Sequence, residues 1–164
     1  MFQHFYINKK SKGIAILTKI EPLNIRTFHS DLCSIIKASY PNFDIVNVYR
    51  FSENQTKEKI EQFTIQLADF IDGEKNQVIL GDMNLDILKS DNDMKFILEE
   101  SHFNQFLNRP THTDGGCIDH IYFRAINNEI TCKFFQLYHV FWSNHNAQTA
   151  IIQTQVENEN STHK

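Results

Sequence analysis

Cysteine, proline, glycine and tryptophan are all scarce in this 164-residue chain, which holds 3, 3, 5 and 1 of them. Cys33, Cys117 and Cys132 lie far apart, are odd in number and form no CxxC, which excludes a disulfide framework and a zinc knuckle. A reducing compartment follows, so the chain reads as intracellular, nuclear or cytoplasmic. No run approaches the ~20 apolar residues of a membrane span. The opening Met1-Phe2-Gln3-His4-Phe5-Tyr6 also lacks the charged-then-apolar layout of a secretory signal, so no membrane partner is expected. Basic charge is short as well. Lys+Arg number 16 against 20 Asp+Glu, a net charge of -4, which disfavours a protein that coats nucleic acid through a basic surface.

What is present is ordinary globular material, 41% hydrophobic and 22% charged. This length corresponds to one domain. Residues 1–156 read as that domain, and 157–164 as a polar tail that frays. The acidic excess is local: residues 1–75 carry 10 basic and 9 acidic side chains, whereas 76–164 carry 6 and 11. Metal chemistry is therefore to be sought in the second half.

Apolar residues from Phe2 to Ile7, a polar turn ending at Gly13 and a second apolar run from Ile14 to Leu17 predict a β-hairpin. Its Lys9, Lys10 and Lys12 read most simply as a solvated tip. Leu32–Ala38 and Asp44–Arg50, separated by Tyr40-Pro41-Asn42, predict two adjacent strands. Ile60, Phe63, Leu67, Phe70 and Ile71 recur at helical spacing, with Ser52 and Gln55 as a capping box and Gly73 as the C-cap. Gln77 to Leu80 is again strand-like, so residues 44–82 form a strand-helix-strand passage of an α/β protein. A second helix is expected near 92–101, with Met94, Ile97 and Leu98 inward. The loop 109–116 follows, then strands over 117–124, 131–141 and 147–156.

Three polar knots interrupt these apolar runs. Gly81-Asp82-Met83-Asn84 closes a buried strand, and a carboxylate beside an amide can orient water and hold a phosphoryl oxygen, although both residue types also favour turns. In Gly116-Cys117-Ile118-Asp119-His120-Ile121 a carboxylate enters an apolar strand, where it needs a partner. His120 faces the other way by alternation. The third knot, Trp142-Ser143-Asn144-His145, offers His145, which a buried carboxylate would orient. Trp142, beside Phe141, reads as core with base stacking as the minor alternative, and the Phe134-Phe135 pair as packing. Arg50 and Arg109 read first as surface or ion-pairing residues, with phosphate contact as the alternative.

The order Val46-Asn47-Val48-Tyr49-Arg50, Ile79-Leu80-Gly81-Asp82-Met83-Asn84, Cys117-Ile118-Asp119-His120-Ile121-Tyr122 and Ser143-Asn144-His145 resembles the endonuclease/exonuclease/phosphatase superfamily, the family of deoxyribonuclease I. Pro110-Thr111-His112 followed by Gly115-Gly116 looks most like the endonuclease domains of mobile elements, which occur joined to a reverse transcriptase or helicase in a larger polyprotein. The resemblance implies a four-layer α/β/β/α sandwich of two packed sheets flanked by helices. It also implies Mg2+-dependent, or Mn2+-dependent, phosphodiester hydrolysis on DNA. By the same resemblance Asp82 activates water, Asn84 and Tyr49 hold the scissile phosphate, Asp119 orients His145, and His145 acts as charged donor or base. Asn47, Arg50 and Arg109 then touch the substrate, and Asp82 with Asn144 holds the metal.

Two departures weaken that expectation. The resemblance runs from near Gly13 to about Ile152, leaving no counterpart of the family's opening Asn strand or of its metal-binding Glu; Glu21 falls on the wrong side of the Gly13–Leu17 strand. Asn144 stands where the family has Asp, which removes a charge. The sequence thus predicts an N-terminally incomplete, catalytically impaired nuclease prone to self-association. A degenerate domain that binds nucleic acid or a partner without turnover is the main alternative. A phosphomonoesterase is the third reading, and the acidic second half supplies little of the basic pocket it would need.

Overall fold

A computed structural model describes residues 3–7, 13–53, 55–71, 73–89, 98–105, 107–126 and 130–154. The Lys9–Lys12 tip, Met94, Ile97, the 157–164 tail and the side chain of Phe134 lie outside them. A six-stranded mixed sheet is the centre of the molecule. In chain order its strands are β3 (Asn24–His29), β4 (Cys33–Ser39), β5 (Phe43–Arg50), β6 (Asn76–Asp82), β7 (Asn104–Gln105) and β8 (Asp119–Arg124), arranged β3-β4-β5-β6-β8-β7. Only β5 and β6 are parallel, because α1 (Lys57–Ala68) carries the chain back between them, and the other neighbours run antiparallel. Two hairpins complete the strands: β1 (Gln3–Ile7) with β2 (Ile14–Thr18), and β9 (Ile130–Tyr138) with β10 (Ala147–Thr154).

Alternation sorts the strand residues between two cores. Ile35, Val46, Val48, Ile79 and Tyr122 go to one face, where Phe63 and Leu67 of α1, with Phe70 just beyond it, close over them. Each of those three buried side chains contributes about 1.5–3 kcal/mol, and Phe63→Ala would cost about 3–5 kcal/mol with the cavity it leaves. On the other face, Ile16 packs on Ile36, Ala38 and Tyr40, while Phe135, Ala150 and Ile152 pack on Val78, Ile121 and Phe123. The described residues therefore form three layers, α/β/β. The expected helical layer on both sides is absent among them, since α1 and the helical residues 98–100 at buried Leu98 belong to the same face.

An apolar trough of about 480 Å³ lies over Ile45, Val78, Leu80, Ile121 and Phe123, bounded on one side by Ala150 and Ile152 of β10. Its polar end holds Asp82 and Asp119.

The ends of α1 correct the expected caps. Thr56, extended at φ -74 and ψ 152, accepts from the Lys59 amide, so it caps the helix in place of Ser52. Gln55 instead donates to the Ser52 and Asn84 carbonyls. At the other end Phe70 and Ile71 amides bond the Leu67 and Ala68 carbonyls, three residues back. This tightened turn closes with Asp69 still right-handed, so the left-handed residue that Gly73 would supply is not needed.

Candidate functional site

The register of the central strands aligns three polar residues at one end of the sheet. Tyr49 of β5 is the partner of Asp82 on β6, and Asp82 is the partner of Asp119 on β8. Gly81 makes this possible: at φ +135 a Cβ would stand 1.9 Å from the Val48 carbonyl oxygen. Only glycine lets β5 and β6 stay paired up to Asp82. After Asp82 the chain turns, with Asn84 left-handed at φ 48 and its amide bonded to Asp82 Oδ1 at 3.0 Å.

His145 completes the cluster. It lies between β9 and β10, and its Nδ1 donates to Asp119 Oδ2 at 2.9 Å and Oδ1 at 3.1 Å. Ser143 Oγ accepts the His145 amide, and His112 pairs with His145 in an isolated bridge that sets their rings edge-on, centroids 4.8 Å apart. Buried Thr111 ties the arrangement together. Its hydroxyl accepts the amides of Ile118 and Asp119, both at 3.0 Å, and its carbonyl accepts the Asn146 amide. Sequence reasoning missed Thr111 and His112 as framework. The available signal was a Thr-His pair between Pro110 and the Gly-Gly turn.

Ligand atoms of Asp82, Asp119 and His145 all lie within 4.8 Å of one another. Burial pushes the Asp82 carboxyl above the usual carboxylate range, and the neighbouring Asp119 charge adds to this, against the pull of the Asn84 amide and of His145 and His112. Two carboxylates held side by side by strand register are a poor arrangement alone and a good one around a cation. The set of hard oxygens and one imidazole suits a divalent ion such as Mg2+ or Mn2+.

The remaining sequence-derived residues fall in several places. Tyr49, half-buried and edge-on to Phe51, lines a cleft of about 450 Å³ with Asn47, Ile14 and Asp82. The Asn47 amide donates to the Ala15 carbonyl at 2.9 Å and so ties β2 to the sheet. Asn84 Nδ2 donates to the Arg50 carbonyl at 2.7 Å. Arg50 corrects the surface reading: it is buried on the α1 face, over the Phe63 ring, with Nη1 donating to the Asn84 carbonyl, so it holds the turn after Asp82 from behind. Arg109 is exposed on the loop before Thr111. Asn144 is exposed too, its carbonyl accepting the Thr113 amide. His120 is fully buried, bonded through Nε2 to the Leu85 and Cys117 carbonyls, and burial pushes its pKa down to about 4. It is a neutral structural histidine. Trp142 is not core: it is 87% exposed.

No protein-family model matches the chain, and no curated protein is similar to it in sequence. Solved structures are similar in fold. An AP endonuclease from Archaeoglobus fulgidus matches with a TM-score of 0.72 at 17% identity, over 92% of this chain and 79% of its own. The endonuclease domain of TRAS1, a telomere-specific non-LTR retrotransposon, matches with a TM-score of 0.66 at 14% identity, over 94% of this chain and 80% of its own. An endonuclease/exonuclease/phosphatase family protein from Leptotrichia buccalis matches with a TM-score of 0.61 at 12% identity, over 93% and 72%. The chain has the endonuclease/exonuclease/phosphatase fold. Among the described residues, no helix is long and apolar enough to cross a membrane.

Proposed function

We propose that this chain is a divalent-metal-dependent phosphodiester hydrolase of the endonuclease type that acts on DNA, with a weakened hold on its metal. The observation that supports this most is the convergence of Asp82, Asp119 and His145 at one end of the sheet, with His145 Nδ1 bonded to Asp119. Asp82 and Asp119 carry the negative charge a hard cation needs. When bound, Mg2+ neutralises charge on a phosphoryl oxygen and acidifies water.

The protein's own groups do the rest. Asp119 fixes the imidazole with Nδ1 protonated, leaving Nε2 as the atom that takes a proton from water or, once charged, donates to a phosphate oxygen. Asp82 orients the attacking water. Tyr49, next to Asp82 in register, contacts the phosphate from the side of the neighbouring cleft. Asn144 contributes an amide where a carboxylate would add charge, and Asp119 is shared with His145, so metal affinity is low. The commitment of the Asn84 amide to the Arg50 carbonyl favours the second reading, a domain that binds nucleic acid without turnover.

Nicking of supercoiled plasmid in millimolar Mg2+ or Mn2+, alongside calorimetric titration of the metal, tests the proposal. Slow nicking is expected, abolished by Asp82→Ala and by His145→Ala, with Asn144→Asp tightening metal binding and raising the residual rate. Nicking that His145→Ala leaves unchanged would overturn the assignment. Metal and DNA binding without turnover in any variant would establish the second reading.

A further inference from the structure

Phe141 and Trp142 are 91% and 87% exposed, the two most solvated large hydrophobic residues among those described, followed by Leu23 at 71%. Tryptophan is on average one of the more buried residue types, so a bare indole beside a bare phenyl ring is a feature that packing leaves unexplained. The turn that carries them is nevertheless well tied. The Ser143 amide bonds the Val140 carbonyl, the Thr113 amide bonds the Asn144 carbonyl, and His139 Nδ1 bonds Asn146 Oδ1 at 3.1 Å. The His139 ring meets Phe141 edge-on at 5.7 Å. The rings are therefore presented to water by a fixed turn.

Their place in the chain gives this meaning. Trp142 is three residues from His145, so its Cα lies within about 11 Å of the His145 Cα. Aromatic faces are sequence-tolerant platforms for unpaired bases. This chain has particular need of one, because its second half carries 6 basic against 11 acidic residues, and phosphate attraction alone gives little binding. Stacking supplies affinity that does not depend on charge.

We propose that Trp142, with Phe141, is a stacking platform for an unpaired DNA base flanking the phosphate held at the Asp82–Asp119–His145 cluster. The proposal rests on the phosphodiester reading above. It commits to single-stranded or locally unpaired DNA, since the bases of an intact duplex keep their faces covered.

Trp142 is the sole tryptophan, so its fluorescence reports on this contact alone. The full chain is titrated, with calcium in place of magnesium, with a fluorescein-labelled single strand, the same strand as duplex, and a strand of equal length whose central nucleotides are abasic. Anisotropy of the label gives the Kd independently of the indole. The single strand should quench the indole, and Trp142→Ala should weaken its binding about tenfold, Phe141→Ala less, with Trp142→Phe recovering most of the loss. The abasic strand should bind the wild-type chain no better than the intact strand binds Trp142→Ala. Binding with an unmoved indole and an unchanged Kd for Trp142→Ala would overturn the platform and leave the phosphodiester reading standing. Equal quenching and affinity for duplex would overturn the preference for an unpaired base. A blue shift with phosphatidylcholine vesicles and none with DNA would make the pair a lipid contact and overturn the platform. Absence of all DNA binding would overturn the phosphodiester reading itself, and this one with it.

Discussion

Adding one methyl group at each of three glycines separates conformational from steric cost in this fold. At Gly73 a Cβ meets nothing within 4 Å. At Gly115 it again meets nothing, but φ is +88. At Gly81 φ is +135 and the Cβ falls 1.9 Å from the Val48 oxygen, with Val48 C and N both at 2.9 Å. Gly73→Ala should therefore change stability by less than about 1 kcal/mol, through the unfolded chain alone. Gly115→Ala should cost about 1–2 kcal/mol, the strain of a left-handed alanine. Gly81→Ala should cost about 1–3 kcal/mol for the backbone and about 1–3 more for the clash. The clash cannot relax by a rotamer change, because the opposing atoms are backbone of a paired strand. A loss of about 4 kcal/mol is a large part of an ordinary domain's stability and lowers Tm by on the order of 10 °C. Urea unfolding with matched m-values measures all three variants, and metal titration of Gly81→Ala should show weaker binding because Asp82 is displaced. A Gly81→Ala variant as mild as Gly115→Ala would refute the close approach of β5 and β6 on which the position of Asp82 depends.

Further predictions concern other parts of the molecule. Burial pushes the Cys33 and Cys117 thiols up to about 11, so both should resist iodoacetamide near pH 8 in the folded chain and react on unfolding, read residue by residue by mass spectrometry. Because the folded thiols keep their protons where unfolded ones lose them, stability should fall as pH rises from about 9 to about 11; a flat urea midpoint across that range would contradict the burial. Asp44→Asn should cost about 3 kcal/mol by urea unfolding, since it leaves Lys37, bonded at 2.8 Å to a carboxylate that is 1% exposed, without its counter-charge. Ala150→Leu should fill part of the trough and raise stability by about 0.5–2 kcal/mol. The same open trough predicts concentration-dependent self-association in sedimentation velocity, and a chain monomeric at all concentrations would contradict it.

The parts of the fold legible in sequence are those where one period dominates. Ile60, Phe63 and Leu67 fix α1, and the apolar stretches on either side of it fix β5 and β6 as a parallel pair. Alternation along β8 separates Asp119 from His120 and sends them to opposite faces, and the structure brings Asp119 to His145. What escaped was edge and context. Strand β3 offers only Ile25 and Phe28 as apolar residues and lies at the sheet margin, so its pattern is weak, and β7 is two residues long. Ser52 is by residue type the better cap, yet the helix starts at Lys57 and Thr56 is the residue placed to accept the Lys59 amide. The exposure of Trp142 depends on the fixed turn, which residue type alone does not reveal. Arg50 was misread because a guanidinium over a phenyl ring and against a carbonyl satisfies a buried cation in a way composition does not announce.

The trough beside β10 bears on the chemistry at its polar end. Asp82 and Asp119 line the same space as Leu80 and Ile121. An ion between those carboxylates feels whatever fills that space. With water there, the field from the two charges is screened and the ion is held loosely. With apolar matter there, the local dielectric falls and the Asp82 carboxylate becomes harder to keep ionised without a counter-charge. Filling the hollow at Ala150 or Ile152 would therefore remove water from one side of Asp82 and push its carboxyl further up, a change transmitted through the shared space.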